Sequence, residues 1–503
     1  MSIGGSFKLI TNDGLQDKML MATDYLNHRI KQINIKNDER MEKKKISDPN
    51  SGYTQSNSWL PMLDQIERTH NIFVNSSFKP FVSMGYEYRK TTSSEGSCEL
   101  GSTVAFRIEQ YGDFFNDMVV HIRLTGLKAK NPGDKVRYAS FLGHKLIKKT
   151  KIQIQNNLID DYTDHEYNAY YNFYVPPCKK NGWMRNMGQE IPTLGYVTSN
   201  PTTDENQEYR WFGDGNQTFK REHSVVDLWI PILFWYKDVR HSVPSFILPY
   251  GQNKLELTLA PENELVSFAN YASGLTVGSE VYEKPQISVC ALYTNYIFMD
   301  TSVHDIFSKN FGFSLIRVHK RQLTTLTSPS NSFKLNDLKW PIETMYVAFR
   351  PSSNKDLSQY WHKNSVLTQL DIPVPVSNAT CVSINQVRIQ KESASVSTLG
   401  ISAHGITIFS ENIASFYNSY MPYRWGDKVN TPEDAGWYMM NFNLKPGDHD
   451  PSGHINVSRA REFYLNYTSD YISKTNEVEL IVLADAINFF LIKDGTGVLR
   501  FTT

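Results

Sequence analysis

Asp448, His449, Asp450 and His454 put two carboxylates and two imidazoles within seven residues. Oxygen and imidazole donors at such spacing are what zinc and related divalent metals bind. The surrounding stretch, KPGDHDPSGHINVSR, is dense in Pro, Gly, Asp and Ser, the residues that close tight turns. No partner ligands are identifiable elsewhere, so the segment is read as a structural turn, with no metal or other cofactor expected. His241, His319 and His404 each lie beside a strand-like pattern. A lone histidine there is more often a hydrogen-bonded structural residue than a general base.

His144, Lys145, Lys148, Lys149 and Lys151 form the densest basic patch. Lys148 and Lys149 precede the alternating Ile152 and Ile154, which predicts the solvated face of a strand, where lysines also guard a sheet edge against unwanted pairing. Phosphate binding needs a basic excess. Here 52 basic residues balance 52 acidic ones, so no specific nucleic-acid partner is expected. Arg459 and Arg461, in VSRAREFYL, could fork onto carboxylates across a subunit seam or within a loop; both arrangements fit. Cys98, Cys178, Cys290 and Cys381 are widely spread, with no CxxC pair, and reduced, buried thiols are expected. The chain lacks the P-loop, the GxSxG elbow, HExxH and the dinucleotide fingerprint.

The elements that position these residues are mostly strands. Val104, Phe106 and Ile108 alternate with polar neighbours, as do Val120, Ile122 and Leu124, then Ile152 and Ile154, then Leu255, Leu257 and Leu259. Further on come Phe311, Phe313 and Leu315; Met345, Val347 and Phe349; Met440, Phe442 and Leu444; and Val478, Leu480 and Val482. Short period-two runs bounded by turn residues predict an antiparallel sandwich or barrel. Length alone, at ~150 residues per domain, would allow about three domains or fewer large β-rich ones. MVVHIR (118–123) is echoed by MYVAFR (345–350), which fits two similar domains with a boundary near residue 305. Segments 161–175 and 410–420 read as aromatic-rich helical stretches that each follow a strand. Polar stretches 176–223 and 351–398 read as long loops, functional or interaction surfaces. At the start, Leu15, Met19, Leu26 and Ile30 lie on one apolar stripe of a helix over 12–30, a candidate anchor that either lies on a partner or membrane surface or folds back on its own domain. Residues 36–58 are a polar tether. No secretory leader pattern opens the chain, and no apolar run reaches the ~18 residues of a membrane span.

The segment NFNLKPGDHDPSGHINVSRAREFYL (441–465) resembles the signature near the C-terminus of the major capsid proteins of nucleocytoplasmic large DNA viruses. The resemblance rests there on Pro451, Ser452, Gly453, Asn456, Ser458 and Arg459. It continues in order through GGSFKLITNDG, FKPFVSMGYEY, QYGDFFNDMV, FSLIRVHK, LKWPIE, ISAHGI and AINFFLIKDGTGVLRFTT, and points within the family to the African swine fever virus branch. The long loops match poorly, and the first half has shorter insertions. The resemblance implies an all-β double jelly roll: two tandem eight-stranded antiparallel sandwiches at 63–305 and 306–503, with an arm and base at 1–62. It implies a non-enzymatic, homotrimeric, pseudo-hexagonal capsomer that tiles an icosahedral shell with neighbouring trimers. Minor capsid proteins, an inner membrane and a viral folding chaperone are the implied partners. The implied location is the virion capsid, assembled in the host cytoplasm at a viral factory. A β-sandwich that binds or processes glycans is the alternative, and it would need paired acids in a cleft.

Overall fold

The computed structural model describes residues 84–191, 193–197, 208–212, 215–248, 253–270, 274–275, 282–299, 313–355, 360–373, 386–425, 428–458, 462–493 and 496–501. The helix expected over 12–30, its residues Leu15, Met19, Leu26 and Ile30, and the boundary expected near 305 lie outside them. Two compact units are present. In the smaller, Asp113 accepts from the Met299 amide at 2.6 Å and donates its own amide to the Ile297 carbonyl at 2.9 Å. The larger unit comprises Tyr88–Tyr111, Phe115–Asn295 and Gly312–Thr503.

Among the described residues, sixteen principal strands run in two sets of eight. The first set is β1 (Met84–Thr92), β2 (Thr103–Arg107), β3 (Phe114–Leu124), β4 (Ile147–Ile154), β5 (Asn157–Thr163), β6 (Val226–Pro231), β7 (Asn253–Leu259) and β8 (Ile287–Met299). The second is β9 (Phe313–Leu326), β10 (Ser330–Lys334), β11 (Pro341–Pro351), β12 (Thr398–Ala403), β13 (Ile406–Ile413), β14 (Trp437–Asn441), β15 (Phe463–Thr468) and β16 (Val478–Lys493). The first set forms sheets ordered β1-β8-β3-β6 and β2-β7-β4-β5. The second repeats that order eight strands later, β9-β16-β11-β14 and β10-β15-β12-β13. Even the two-residue additions correspond: Val243–Pro244 pairs with β3, and Ile455–Asn456 with β11. The echoed MVVHIR and MYVAFR lie on β3 and β11, the same position in each set.

Period-two patterning explains the cores. On β7, Leu255 and Leu257 stand opposite Phe106 and Val104 of β2, and all four are buried. In the second sandwich, Met345, Val347 and Phe349 of β11 pack with Leu399 and Ile401 of β12, Leu465 of β15, and Leu480 and Val482 of β16. Each such side chain removed from water is worth ~1.5–3 kcal/mol.

Several expectations are corrected. On β9 the inward residues are Ile316, Val318 and Leu326, while Phe313 is 62% exposed; the run Phe311, Phe313 and Leu315 has the opposite phase, and a one-residue slip exchanges the faces. Leu444 is 73% exposed, because the strand ends at Asn441 and the chain then turns. β11 is buried along its whole length, on both faces. The two polar stretches are not plain loops. The first holds a helix, α2 (Pro177–Asn186), and the hairpin Thr193–Val197 with Glu208–Phe212; the second holds the hairpin Val366–Pro373 with Gln386–Ser393. The basic patch guards no edge, since β4 is an interior strand. Its Lys148, Lys149 and Lys151 pair with Glu264, Asp161 and Glu256, and His144 and Lys145 are buried in a short helix.

Candidate functional site

The two sandwiches meet at a seam built from the β5 turn-off. The chain leaves β5 and enters α1 (Asp164–Phe173), where Glu166 reaches back to the Thr163 amide (2.9 Å) and hydroxyl (2.6 Å), satisfying groups exposed at the helix start. Ala169 and Phe173 of α1 pack against Tyr346, Ala348, Trp437, Met439, Ile481 and Leu483, the outer face of the β9-β16-β11-β14 sheet. That contact is why β11 is buried on both faces. The second sandwich has a helical segment in the corresponding place: after β13 come the π turn Phe416–Tyr420 and α3 (Met421–Arg424).

Hydrogen bonds fix the register of the seam. Trp361 Nε1 donates to the Ser140 carbonyl at 2.6 Å, and Asn168 Nδ2 to the His362 carbonyl at 2.7 Å. The Asn430 amide donates to the Phe173 carbonyl at 2.7 Å, and Asn430 Nδ2 to the Val175 carbonyl at 2.8 Å. Tyr174 shares a hydrogen bond with Tyr346 and donates to Asp485 at 3.2 Å.

Charge is concentrated beside this apolar contact. Asp160 of β5 accepts from the His319 amide at 3.0 Å and bonds His319 Nδ1 at 2.7 Å, and Asp161 accepts from Arg321 Nη2 at 2.5 Å. Burial alone would depress the His319 imidazole, but the Asp160 carboxylate outweighs it and holds it above its ordinary value. Burial also lifts the Asp160 carboxyl, against the pull of His319. The neighbouring cavity, about 300 Å³, is lined in part by Tyr174, Lys237, His241, Arg317, Tyr346 and His449. Burial brings Lys237 down to about 8.

The signature residues build the turn at one rim of this cavity. The Lys445 amide donates to Ser452 Oγ at 2.8 Å, and the Leu444 amide to the Ser452 carbonyl at 3.3 Å. Pro451 is exposed at the tip. Gly453 takes φ 138°, and a Cβ there would stand 3.3 Å from the Phe442 carbonyl. Asn456 Oδ1 accepts from the Ser458 amide at 3.0 Å, turning the chain as it leaves the short strand Ile455–Asn456 that pairs with β11. Arg459 and Arg461 lie outside the described residues. Arg317 of β9 clamps the turn: it pairs with Glu343 at 2.8 Å and donates to the His449 and Asp448 carbonyls at 2.8 and 3.1 Å. Sequence reasoning missed Asp160, Asp161, Glu166, Arg317, Glu343 and Asp485. Two signals were present: Thr163-x-x-Glu166 as a helix start, and Arg317, His319 and Arg321 at two-residue steps on one strand face.

The outward surface is apolar at one edge. β13 closes its sheet with Ile406 and Ile413 each 69% exposed, and Tyr423 beyond it is 75% exposed. A groove lined by Ile413, Phe416, Tyr420 and Tyr423 runs alongside.

One strand order used twice, locked by a buried seam and carrying an apolar edge outward, defines a double jelly-roll coat protein. The chain belongs to the large eukaryotic DNA virus major capsid proteins. The model described as major capsid protein N-terminus matches residues 86–300, and that of the large eukaryotic DNA virus major capsid protein matches 298–498. The hexon protein p72 of African swine fever virus is 29% identical over 662 aligned positions, covering 100% of both chains. The major capsid protein of Paramecium bursaria Chlorella virus 1 is 22% identical over 79% of this chain and 82% of its own. Among solved structures, the Faustovirus major capsid protein superposes with a TM-score of 0.76 at 28% identity, over 96% of this chain and 100% of its own. The PBCV-1 capsid structure, at 19% identity, shares the fold with a TM-score of 0.62, over 86% of this chain and 100% of that one. The protein is therefore a virion capsid component that forms the shell of a large DNA virus.

Proposed function

We propose that the chain acts as a homotrimer whose six jelly rolls give a pseudo-hexagonal capsomer, and that capsomers tile edge to edge into an icosahedral shell. The exposed apolar edge of β13 carries this reading. An edge strand presents unpaired backbone groups, and soluble monomers usually blunt such edges with charge or Pro. Here Ile406, Ile408, Ile413, Tyr420 and Tyr423 are all exposed, an aromatic and aliphatic patch of the kind that subunit interfaces bury. In the proposed division, residues 63–305 and 306–503 are the two jelly rolls, and 1–62 form an arm beneath the capsomer toward minor capsid proteins and an inner membrane. Assembly in the host cytoplasm with a viral folding chaperone, and a purely structural role without catalysis, complete the proposal. Sedimentation of the purified protein tests it. Trimers in wild type that dissociate in Ile413→Asp support the reading, and a wild-type protein that stays monomeric under assembly conditions overturns it.

A further inference from the structure

The turn at 445–453 offers metal-binding side chains whose partners are invisible in the local sequence. The structure supplies them from the other sandwich. After β6 the chain makes a short helical turn over Val239–His241, capped by Asp238, whose carboxylate accepts from the Arg240 amide at 3.0 Å. This turn faces the 448–449 turn across the rim of the cavity. One donor atom each from Asp238, His241 and His449 lies within 4.8 Å of the others. The two imidazoles are 4.3 Å apart, centre to centre. His241 Nε2 and His449 Nδ1 are both shielded from solvent, and neither has a hydrogen-bond partner among the described residues. Leaving two such ring nitrogens unsatisfied side by side is costly.

The surroundings hold the donors in place. Arg317, anchored on Glu343, fixes the His449 backbone through its carbonyl. Arg240 forks onto both Asp238 oxygens, with Nε 3.1 Å from Oδ1 and Nη2 2.6 Å from Oδ2, which fixes the orientation of the carboxylate. The positive charges of Arg240 and Arg317 are countered by Asp448 and Asp450 near Arg240 and by Glu343 on Arg317. We propose that Asp238, His241 and His449 form a divalent transition-metal site of the zinc class, completed by water, which staples the first jelly roll to the second. Two imidazoles and one carboxylate with an open fourth position suit zinc, which takes four ligands of this type.

The test uses the full-length protein, stripped with a chelator and titrated with Zn²⁺ by calorimetry, and with Co²⁺ followed by its visible spectrum. One ion per chain, a rise in melting temperature on adding Zn²⁺, and a cobalt spectrum of tetrahedral intensity are the expected results. His449→Ala and His241→Ala should weaken binding by more than about tenfold, the loss typical already of changes outside the ligand set. His454→Ala, in the same sequence segment but outside the cluster, should bind as wild type does. Should a histidine variant fail to fold, Asp238→Asn and the wild-type cobalt spectrum carry the test. Absence of stoichiometric binding to wild type, or binding unchanged in the folded His449 or Asp238 variant, overturns the proposal.

Discussion

Replacing Phe173 by Ala should uncouple the two jelly rolls while leaving each fold intact. Phe173 is fully buried, its ring 4.7 Å from Tyr346 and 6.0 Å from Trp437, the latter at 85°. Truncating a buried Phe costs ~3–5 kcal/mol, including the lost aromatic pairs. The Asn430 amide still finds the backbone carbonyl of residue 173, so the substitution removes packing without stranding that donor. For a unit of about 200 residues, each kcal/mol moves the midpoint by ~2–4 °C, so calorimetry at a fixed scan rate should show a fall of roughly 6–20 °C. Hydrogen exchange locates the effect. Amides of α1 and β14 should lose protection, while those of β2 and β7, in the far sheet of the first sandwich, keep theirs. Met345→Ala, inside the second core, should do the reverse: it loosens β11, β12 and β15 and spares α1. A Phe173→Ala protein that melts within about 2 °C of wild type, the scale of a surface change, would refute the seam as a main determinant of stability.

The Asp160–His319 pair predicts a pH dependence. Both groups are shifted upward, so the folded seam holds protons that the unfolded chain releases. The contribution of His319 is complete below its unfolded value of ~6.5 and is lost as pH rises through its folded value. The stability that His319 adds, read as the melting temperature of wild type minus that of His319→Gln, should therefore be smaller at pH 9 than at pH 6; parallel profiles would contradict it. Gly453→Ala should cost more than ~1 kcal/mol, because φ 138° suits only glycine, and should deprotect the amides of Leu444 and Lys445; an unchanged melting temperature would show that the turn is not constrained. Ile413→Asp should dissociate the trimer in sedimentation while changing monomer stability by no more than ~0.5 kcal/mol; a trimer that survives would remove β13 from the interface.

Fold class was legible because period-two burial is a local property. Leu255, Leu257 and Leu259 alternate in the sequence and in the structure alike. The echo of 118–123 in 345–350 marked equivalent strands for the same reason: each lies third in its sheet. Legibility failed where burial depends on a distant partner. β11 has no exposed face because α1, from the other sandwich, covers its outer side. Hydrophobicity alone points Phe313 inward, whereas the charges at Arg317, His319 and Arg321 mark its face as the one that meets β5. The hairpins in 176–223 and 351–398 were hidden by the polar composition of those stretches; each is a two-stranded sheet of its own, paired with none of the principal strands. His449 looked like a mere turn residue because Asp238 and His241 lie in the other half of the chain.

The most direct measurement of the central claim is cryo-electron microscopy of the purified full-length protein. The account predicts particles of three copies with six jelly rolls in a pseudo-hexagonal outline, and β13 with Tyr420 and Tyr423 buried between copies. Particles holding a single double jelly roll, with that edge open to solvent, would contradict it.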